Sequence, residues 1–444
     1  MAKYQAYAEY KDSGVEFLPI LPSTWKVRRV KSILDLQRTI LGEKSKYYQL
    51  LSLTLRGVIL RDVSGGDGKI PESFDTYQAV KKKDLVFCLF DMDETPRTVG
   101  ISEHDGMITG AYNVYKVNKS SFPKFIYYYF LHLDYFKGLK PFYTGLRKVV
   151  RSDTFANIKM PCPPLAEQTQ IANFLDHETA KIDHLIEKQQ QLIELLKEKR
   201  QAVISHAVTK GLDPNVPMKD SGVEWLGEVP EHWEIPKLLH ITTRIGDGLH
   251  STPVYQEGTG YYFINGNNLV DGEIIIGETA KEVPESEFIK HQVTLDKTTV
   301  LLSINGTIGK VALYNNEPVI LGKSASYMNC CPEVLPSYLV NYLTTSQAKK
   351  YYDLEVTGTT IFNLSLNSIR NMKVPLPPID EQKGIVQFIA EQYSKYETLI
   401  QSSAKQNKLL KERRTALISA AVTGKIDVRN WQAPTVGAHT ELSA

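Results

Sequence analysis

Four cysteines in 444 residues are too few to frame a disulfide-stapled fold. Cys88, Cys162 and the adjacent Cys330 and Cys331 show no C-x-x-C spacing, so structural zinc is not expected either. No apolar run approaches the roughly 18 residues that a membrane span needs. The opening "MAKYQAYAEYKDSG" lacks the basic-then-apolar order of an export signal. The expectation is a reduced, cytoplasmic chain with no membrane contact. An excess of one charge is missing too: 52 Lys+Arg face 50 Asp+Glu, a formal +2. The distribution is less even. Ser23 to Met160 holds 23 Lys+Arg against 14 Asp+Glu, whereas Glu231 to Val374 holds 11 against 15.

Catalytic signatures are also lacking. "NGTIGKVAL" (305–313) has no Ser or Thr after Lys310, and "LGKSAS" (321–326) has no upstream glycine, so neither is a phosphate-binding lysine loop. "SGGDG" (64–68) does not fit a dinucleotide fingerprint and reads as a turn. The ten histidines are scattered, and His177, His184 and His206 have no carboxylate or cysteine at ligand spacing. Neither a cofactor, a metal nor catalysis by this chain alone is expected.

What the chain does have is repetition, and internal repeats reset the reading of a sequence. "KDSGVEFL" at 11–18 returns as "KDSGVEWL" at 219–226, an offset of 208 that also carries Pro22 and Trp25 onto Pro230 and Trp233. "MPCPPLAEQTQIANFLDHE" (160–178) returns as "VPLPPIDEQKGIVQFIAEQ" (374–392), and "LKEKRQAVISHAVTKG" (196–211) as "LKERRTALISAAVTGK" (410–425), both at an offset of 214. Between these phrases, short β-type runs and Pro-started aromatic helices echo one another, as in "FPKFIYYYFLH" (122–132) and "LPSYLVNYLTT" (335–345). The plan is domain, long helix, domain, long helix. It closes in a circular sense, because "KDSGVE" follows the first helix but precedes the first domain. The C-terminus is therefore expected beside the N-terminus.

The paired prolines impose an extended approach and suit a helix start, where a missing N–H costs nothing. Glu167 and Glu381 then set negative charge at the positive helix end. Ile171, Leu175, Ile182, Leu185, Leu192, Leu196 and Val203 follow a 4-3 spacing, broken at Glu178, Gln189 and Lys199. The second helix offers Ile385, Ile389, Tyr396, Leu399, Leu410 and Leu417, broken at Gln392, Ser403 and Arg413. This predicts two coiled-coil helices, paired antiparallel, each a rod of about 65 Å at roughly 1.5 Å per residue. The simpler alternative is two amphipathic helices in a globular core. The predicted fold class is α/β (α+β): two mixed α/β recognition domains separated by the two long helices, with a pseudo-two-fold, circular repeat. The boundaries are 1–160 for the first domain, 161–212 for the first helix and joint, 213–374 for the second domain, 375–427 for the second helix, and 428–444 for a disordered tail.

These doubled phrases, with "KDSGVEWLGEVPEHWE" between them, resemble the specificity subunit of type I restriction–modification systems, over Lys11 to about Asp427. The resemblance implies a non-catalytic subunit whose two domains each read half of a split sequence in double-stranded DNA. It implies helices that set the gap and dock two adenine-N6 methyltransferase subunits, and restriction subunits that add translocase and nuclease activity. The methyltransferases of that kind carry Asp/Asn-Pro-Pro-aromatic; "PCPPLA" and "PLPPID" do not match it. The competing reading is a helical scaffold with two protein-binding heads and no role with DNA.

For DNA contact the candidates lie in loops beside β-type runs, where ordinary loop polarity is the rival explanation for each. In the first domain they are Arg97 in "DMDETPRTVG", and Arg147, Lys148 and Arg151 in "GLRKVVRSDTF". In the second they are Arg244, His250 and Thr252 in "RIGDGLHSTPVY", Asn305 and Lys310 in "SINGTIGK", and Thr359, Thr360 and Asn363 in "TGTTIFNLS". "KKKD" (81–84) reads as a solvated charge run, and "FIYYYFLHLDYF" (125–136) as a core helix rather than a stacking surface.

Overall fold

Pro163 and Pro164 stand directly before a helix that runs from Leu165 to Lys210, and Pro377 and Pro378 before one from Ile379 to Val422. The computed structural model describes residues 4–15, 18–61, 73–358 and 362–433. Contacts divide the chain into two units, Met1–Gln189 with Lys405–Ala444, and Gln190–Ala404. Each unit owns one domain and half of both long helices.

The Glu-Gln doublet after the prolines explains the joint. Gln168 is fully buried, donates to the Pro163 carbonyl at 2.8 Å and accepts from the Phe122 N–H at 2.9 Å. Gln382 repeats this with the Pro377 carbonyl at 2.9 Å and the Leu335 N–H at 2.9 Å. Glu167 accepts from the Trp25 indole at 2.8 Å and Glu381 from Trp233 at 3.1 Å. Each motif thus locks a helix start to the domain before it, and a buried amide with its bonds made fixes one orientation. The expectation for the termini holds: the Asp427 N–H donates to the Gln5 carbonyl at 2.8 Å, and Tyr10 to the Gly424 carbonyl at 2.9 Å.

In the first unit a sheet forms from β1 (Leu34–Gln37), β2 (Leu85–Phe87), β3 (Val99–Ile101) and β4 (Asn113–Val117), in the order β1-β4-β2-β3. It packs on α1 (Pro123–Tyr135), whose Phe125, Ile126, Tyr129 and Phe130 are buried as a core helix requires. α2 (Ser152–Asn157) leads into the joint and α3 (Leu165–Lys210) follows. The second unit repeats the sheet as β5 (Thr242–Asp247), β6 (Thr299–Ser303), β7 (Val311–Leu313) and β8 (Ala325–Cys330), in the order β5-β8-β6-β7. Among its helices are α4 (Pro336–Leu343), α5 (Leu366–Asn371) and α6 (Ile379–Val422). All neighbours in both sheets are antiparallel.

Within each unit the helix segments run antiparallel. Asp183 pairs with Arg414 and Gln189 with Gln406 in the first, and Arg200 with Glu397 in the second. The 4-3 frame read from the sequence needs correction beyond Ile182. Leu185 and Leu192 are exposed, while Ile193 and Ile204 are buried and Ile186 packs against the first core. In α6 the frame positions Ile385, Ile389, Ser403 and Leu417 are buried, but Leu399 is exposed and Asn407, off the frame, is buried. An α-helix turns every 3.6 residues, so a strict seven-residue pattern drifts by about 20° per heptad and leaves the seam unless the helices supercoil to follow it.

The 428–444 segment also needs correction in part. Val428 is buried, and Trp431 meets Phe174 edge-to-face at 5.4 Å, so the chain packs on the first unit as far as Trp431. Residues 434–444 lie outside the described residues, as does "SGGDG". No helix among the described residues is long and apolar enough to cross a membrane.

Candidate nucleic-acid interface

β1 and β2 end, and β4 and β3 begin, at the same edge of the first sheet, so the loops after β1, after β2 and before β4 gather there. Phe90 stacks on Tyr112 at 5.9 Å, and the Leu41 N–H donates to the Tyr77 carbonyl at 2.9 Å. A hairpin closed by mutual bonds between Thr144 and Val149, at 2.9 and 3.0 Å, is laid against the loop after β2. Its Arg147 carbonyl accepts from the Asp91 N–H at 2.7 Å, and the Val150 N–H donates to the Leu89 carbonyl at 2.9 Å.

The second unit rebuilds this end. The hairpin is closed between Thr357 and Asn363, at 3.0 and 2.9 Å. The Gly306 N–H donates to the Phe362 carbonyl at 3.0 Å, and the Leu364 N–H to the Ile304 carbonyl at 2.8 Å. Two further loops join: the Ile304 N–H donates to Ser324 at 2.9 Å, and the Lys323 N–H to Leu249 at 2.9 Å.

The candidate residues fall unevenly on these ends. Arg147 and Lys148 sit in the first hairpin. The Arg147 guanidinium lies over Phe90 at 5.1 Å and pairs with Asp91, with its Nε at 3.1 Å. That pairing holds the Asp91 carboxyl below the usual range. Lys148 is exposed, with φ of +47°. Arg151 is exposed at the start of α2. Asn305, in the loop after β6, donates to Asn363 of the second hairpin at 3.3 Å, and His250 shares a 2.8 Å bond with Asp247. Thr252 is exposed in the same loop as His250. Arg244 lies within edge strand β5, bonded to Thr294 at 2.9 Å, outside the loop cluster. Lys310 lines a cavity of about 340 Å³ with Arg200 and Tyr393 of the helix pair. Thr359 and Thr360 lie outside the described residues.

Arg97 is a correction. Its side chain is 11% exposed, 3.5 Å from the buried Asp134 carboxylate and 5.4 Å from the Tyr135 ring centre. Asp134 also accepts from the Thr98 N–H and hydroxyl at 3.2 and 2.8 Å. Arg97 neutralises a buried acid and has no free face for DNA.

The structure adds residues that sequence reasoning passed over. Arg38, Lys44, Lys46 and Tyr47 are exposed in the loop after β1, with the Lys46 ammonium 5.2 Å from the Tyr47 ring. Tyr255 and Lys323 are exposed in the corresponding end of the second unit. One signal was available: Tyr47 and Tyr255 stand 208 apart, the offset of the "KDSGVE" repeat. Among the described residues no group of three or more His, Cys, Asp or Glu is placed to hold a metal ion.

Known proteins share this plan. The specificity subunit of type I restriction enzyme MjaVIII from Methanocaldococcus jannaschii is 28% identical over 295 residues, covering 65% of this chain and 66% of its own. A chain of the same archaeon, named as the specificity subunit of MjaX, is 24% identical over 443 residues, covering 95% and 98%. The EcoKI specificity subunit of Escherichia coli is 25% identical over 260 residues, 56% and 54%. Among solved structures, a chain from a study of complex assembly in the type I R-M system superposes with a TM-score of 0.68 at 16% identity, covering 91% of this chain and 99% of that one. The HsdS subunit of Thermoanaerobacter tengcongensis gives 0.51 at 15%, covering 91% and 98%. The model of the type I restriction modification DNA specificity domain matches residues 22–195 and again 231–411. Twice matched, and built twice on one backbone plan, the chain belongs to the type I restriction–modification specificity family.

Proposed function

We propose that this chain is the sequence-recognition subunit of a type I restriction–modification complex, each unit reading one half of a bipartite, asymmetric stretch of double-stranded DNA. The duplicated loop end carries the reading. The same backbone bonds hold a hairpin against the loop after the central strand in both units, while the side chains on that frame differ. One frame with two sets of side chains suits two readers of different sequences.

In the first unit Lys148, Arg151, Arg38, Lys44 and Lys46 supply cations for phosphates, and Arg147 is held rigidly among them. In the second, His250, Thr252, Asn305 and Asn363, with Lys310, Thr359 and Thr360, offer donors and acceptors to base edges, while Arg244, outside the loop cluster, is left for a phosphate. That domain carries more acids than bases, so its affinity rests on polar contacts and on partner subunits. The long helices set the gap between half-sites. Their exposed Leu185, Leu192, Leu195, Leu399 and Leu409 offer apolar surface to two adenine-N6 methyltransferase subunits, and restriction subunits complete the nuclease. The chain itself contributes no catalysis, binds no cofactor and works in the cytoplasm.

The test is to replace residues 23–160 with the equivalent domain of another family member and map methylated adenines. One half of the sequence should change and the other should stay; a change in both halves overturns independent reading. A scaffold with protein-binding heads predicts no duplex binding whose affinity falls with salt, whereas phosphate contacts release counterions and require it.

A further inference from the structure

Leu146 is 99% exposed, more than any other large apolar side chain among the described residues. Such a residue contributes nothing to the fold's core, yet its backbone is held firmly. It lies in the four-residue turn between Thr144 and Val149, with Gly145 at φ +69° and Lys148 at φ +47°. The Lys148 N–H closes the turn on the Gly145 carbonyl at 3.2 Å, and the next residue, Arg147, is clamped by Asp91 and Phe90. An apolar side chain on a rigid tip is a preorganised anchor, because little freedom remains to be lost on binding. Its neighbours decide what it anchors to. Lys148 beside it and Arg151 five residues on are exposed cations, and Arg147 is held by Asp91, which suits a nucleic acid better than an apolar protein groove. The second unit carries Phe362 on the corresponding hairpin, 51% exposed.

We propose, resting on the recognition reading above, that Leu146 is an apolar wedge that enters the base stack of the first half-site, and that Phe362, whose carbonyl takes the place of the Arg147 carbonyl on the second hairpin, does so in the second. Leucine and phenylalanine are side chains that part a base step when pressed into the minor groove, and the unstacking kinks the duplex toward the major groove, away from the wedge. The partly opened step also serves the partner enzyme, since an adenine is methylated only after it leaves the stack.

The experiment uses the chain assembled with its methyltransferase subunits and duplexes carrying the fluorescent base aminopurine at successive positions of the first half-site. The intact complex should raise fluorescence at one step. Leu146→Ala should abolish that rise and weaken specific binding on the order of tenfold, while Leu146→Met retains both. Because Leu146 is exposed, neither variant disturbs folding. Unchanged fluorescence and affinity in Leu146→Ala, with sequence-specific binding intact, overturns the wedge and leaves the recognition reading standing. Loss of methyltransferase subunits from Leu146→Ala in the absence of DNA also overturns it, since the side chain then contacts protein. So does an affinity loss reproduced by removing thymine methyl groups with no fluorescence change. Failure of the intact complex to bind any two-part sequence overturns the recognition reading itself.

Discussion

Arg414 and Asp183 form an ion pair between the two long helices of the first unit, 2.7 Å from Nε to carboxylate. The offset of 214 carries Asp183 onto Glu397 and Arg414 back onto Arg200, which pair at 3.0 Å in the second unit. One interaction, made twice, marks the antiparallel register of the helices in each unit. The copies differ in what surrounds them. Arg414 also donates to the Tyr135 hydroxyl at 2.7 Å, tying the helix pair to α1, whereas Arg200 lies over the Tyr393 ring at 4.6 Å.

Arg414→Ala should therefore cost the first unit about 2 kcal/mol, since it removes a largely shielded guanidinium that bonds both Asp183 and the Tyr135 hydroxyl. Asp183→Asn, at a half-exposed acid, should cost under about 1 kcal/mol. Denaturant unfolding of the two variants measures the difference, and equal losses would contradict the Tyr135 tie.

The helix ends predict another asymmetry. Gly424 and Gly211 close the long helices at φ +71° and +78°. A Cβ at Gly424 would stand 2.4 Å from Pro22 Cδ, but at Gly211 no closer than 3.3 Å to any neighbour, the nearest being a Glu381 carboxylate oxygen. Both alanine variants pay the left-handed strain of about 1 kcal/mol. Gly424→Ala should lower the unfolding midpoint further, because a proline ring in a packed joint cannot yield.

Arg97→Ala should destabilise the first unit by about 2–3 kcal/mol by leaving the Asp134 carboxylate buried with less compensation. DNA affinity of the protein that remains folded should not change. Lys148→Ala should do the opposite: leave stability unchanged, weaken binding to all sequences alike, and reduce the slope of log affinity against log salt by about one. Binding titrations at several salt concentrations separate the two.

Acid should weaken the first unit through His132. Burial, with the nearby Lys425 charge adding to it, pushes this imidazole down from 6.5 to about 4. A group held neutral in the folded state contributes stability that is fully present above its ordinary pKa. That stability is lost as pH falls from about 6.5 toward 4, because the unfolded chain takes up the proton first. His132→Gln should flatten this part of the pH–stability curve, measured by denaturant midpoints across the window.

The repeat, the two domains, the long helices and their starts are determined by the sequence alone, because each rests on local chemistry or on self-similarity along the chain. Proline fixes the backbone before the helix whatever surrounds it, and an offset of 208 or 214 residues needs no coordinates to be seen. The seam of α3 was legible only as far as Ile182. Beyond it, which apolar residues turn inward depends on how closely two real helices supercoil, and Leu185 or Ile186 serve equally well on paper. The site was legible as loops but not as residues. Arg97 and Arg147 look alike in sequence, each an arginine in a polar loop. Asp134, 37 residues beyond Arg97, draws its side chain into the core, while Asp91, 56 before Arg147, holds that guanidinium at the surface. Long-range burial and pairing settle a side chain's direction, and those are properties of the folded chain.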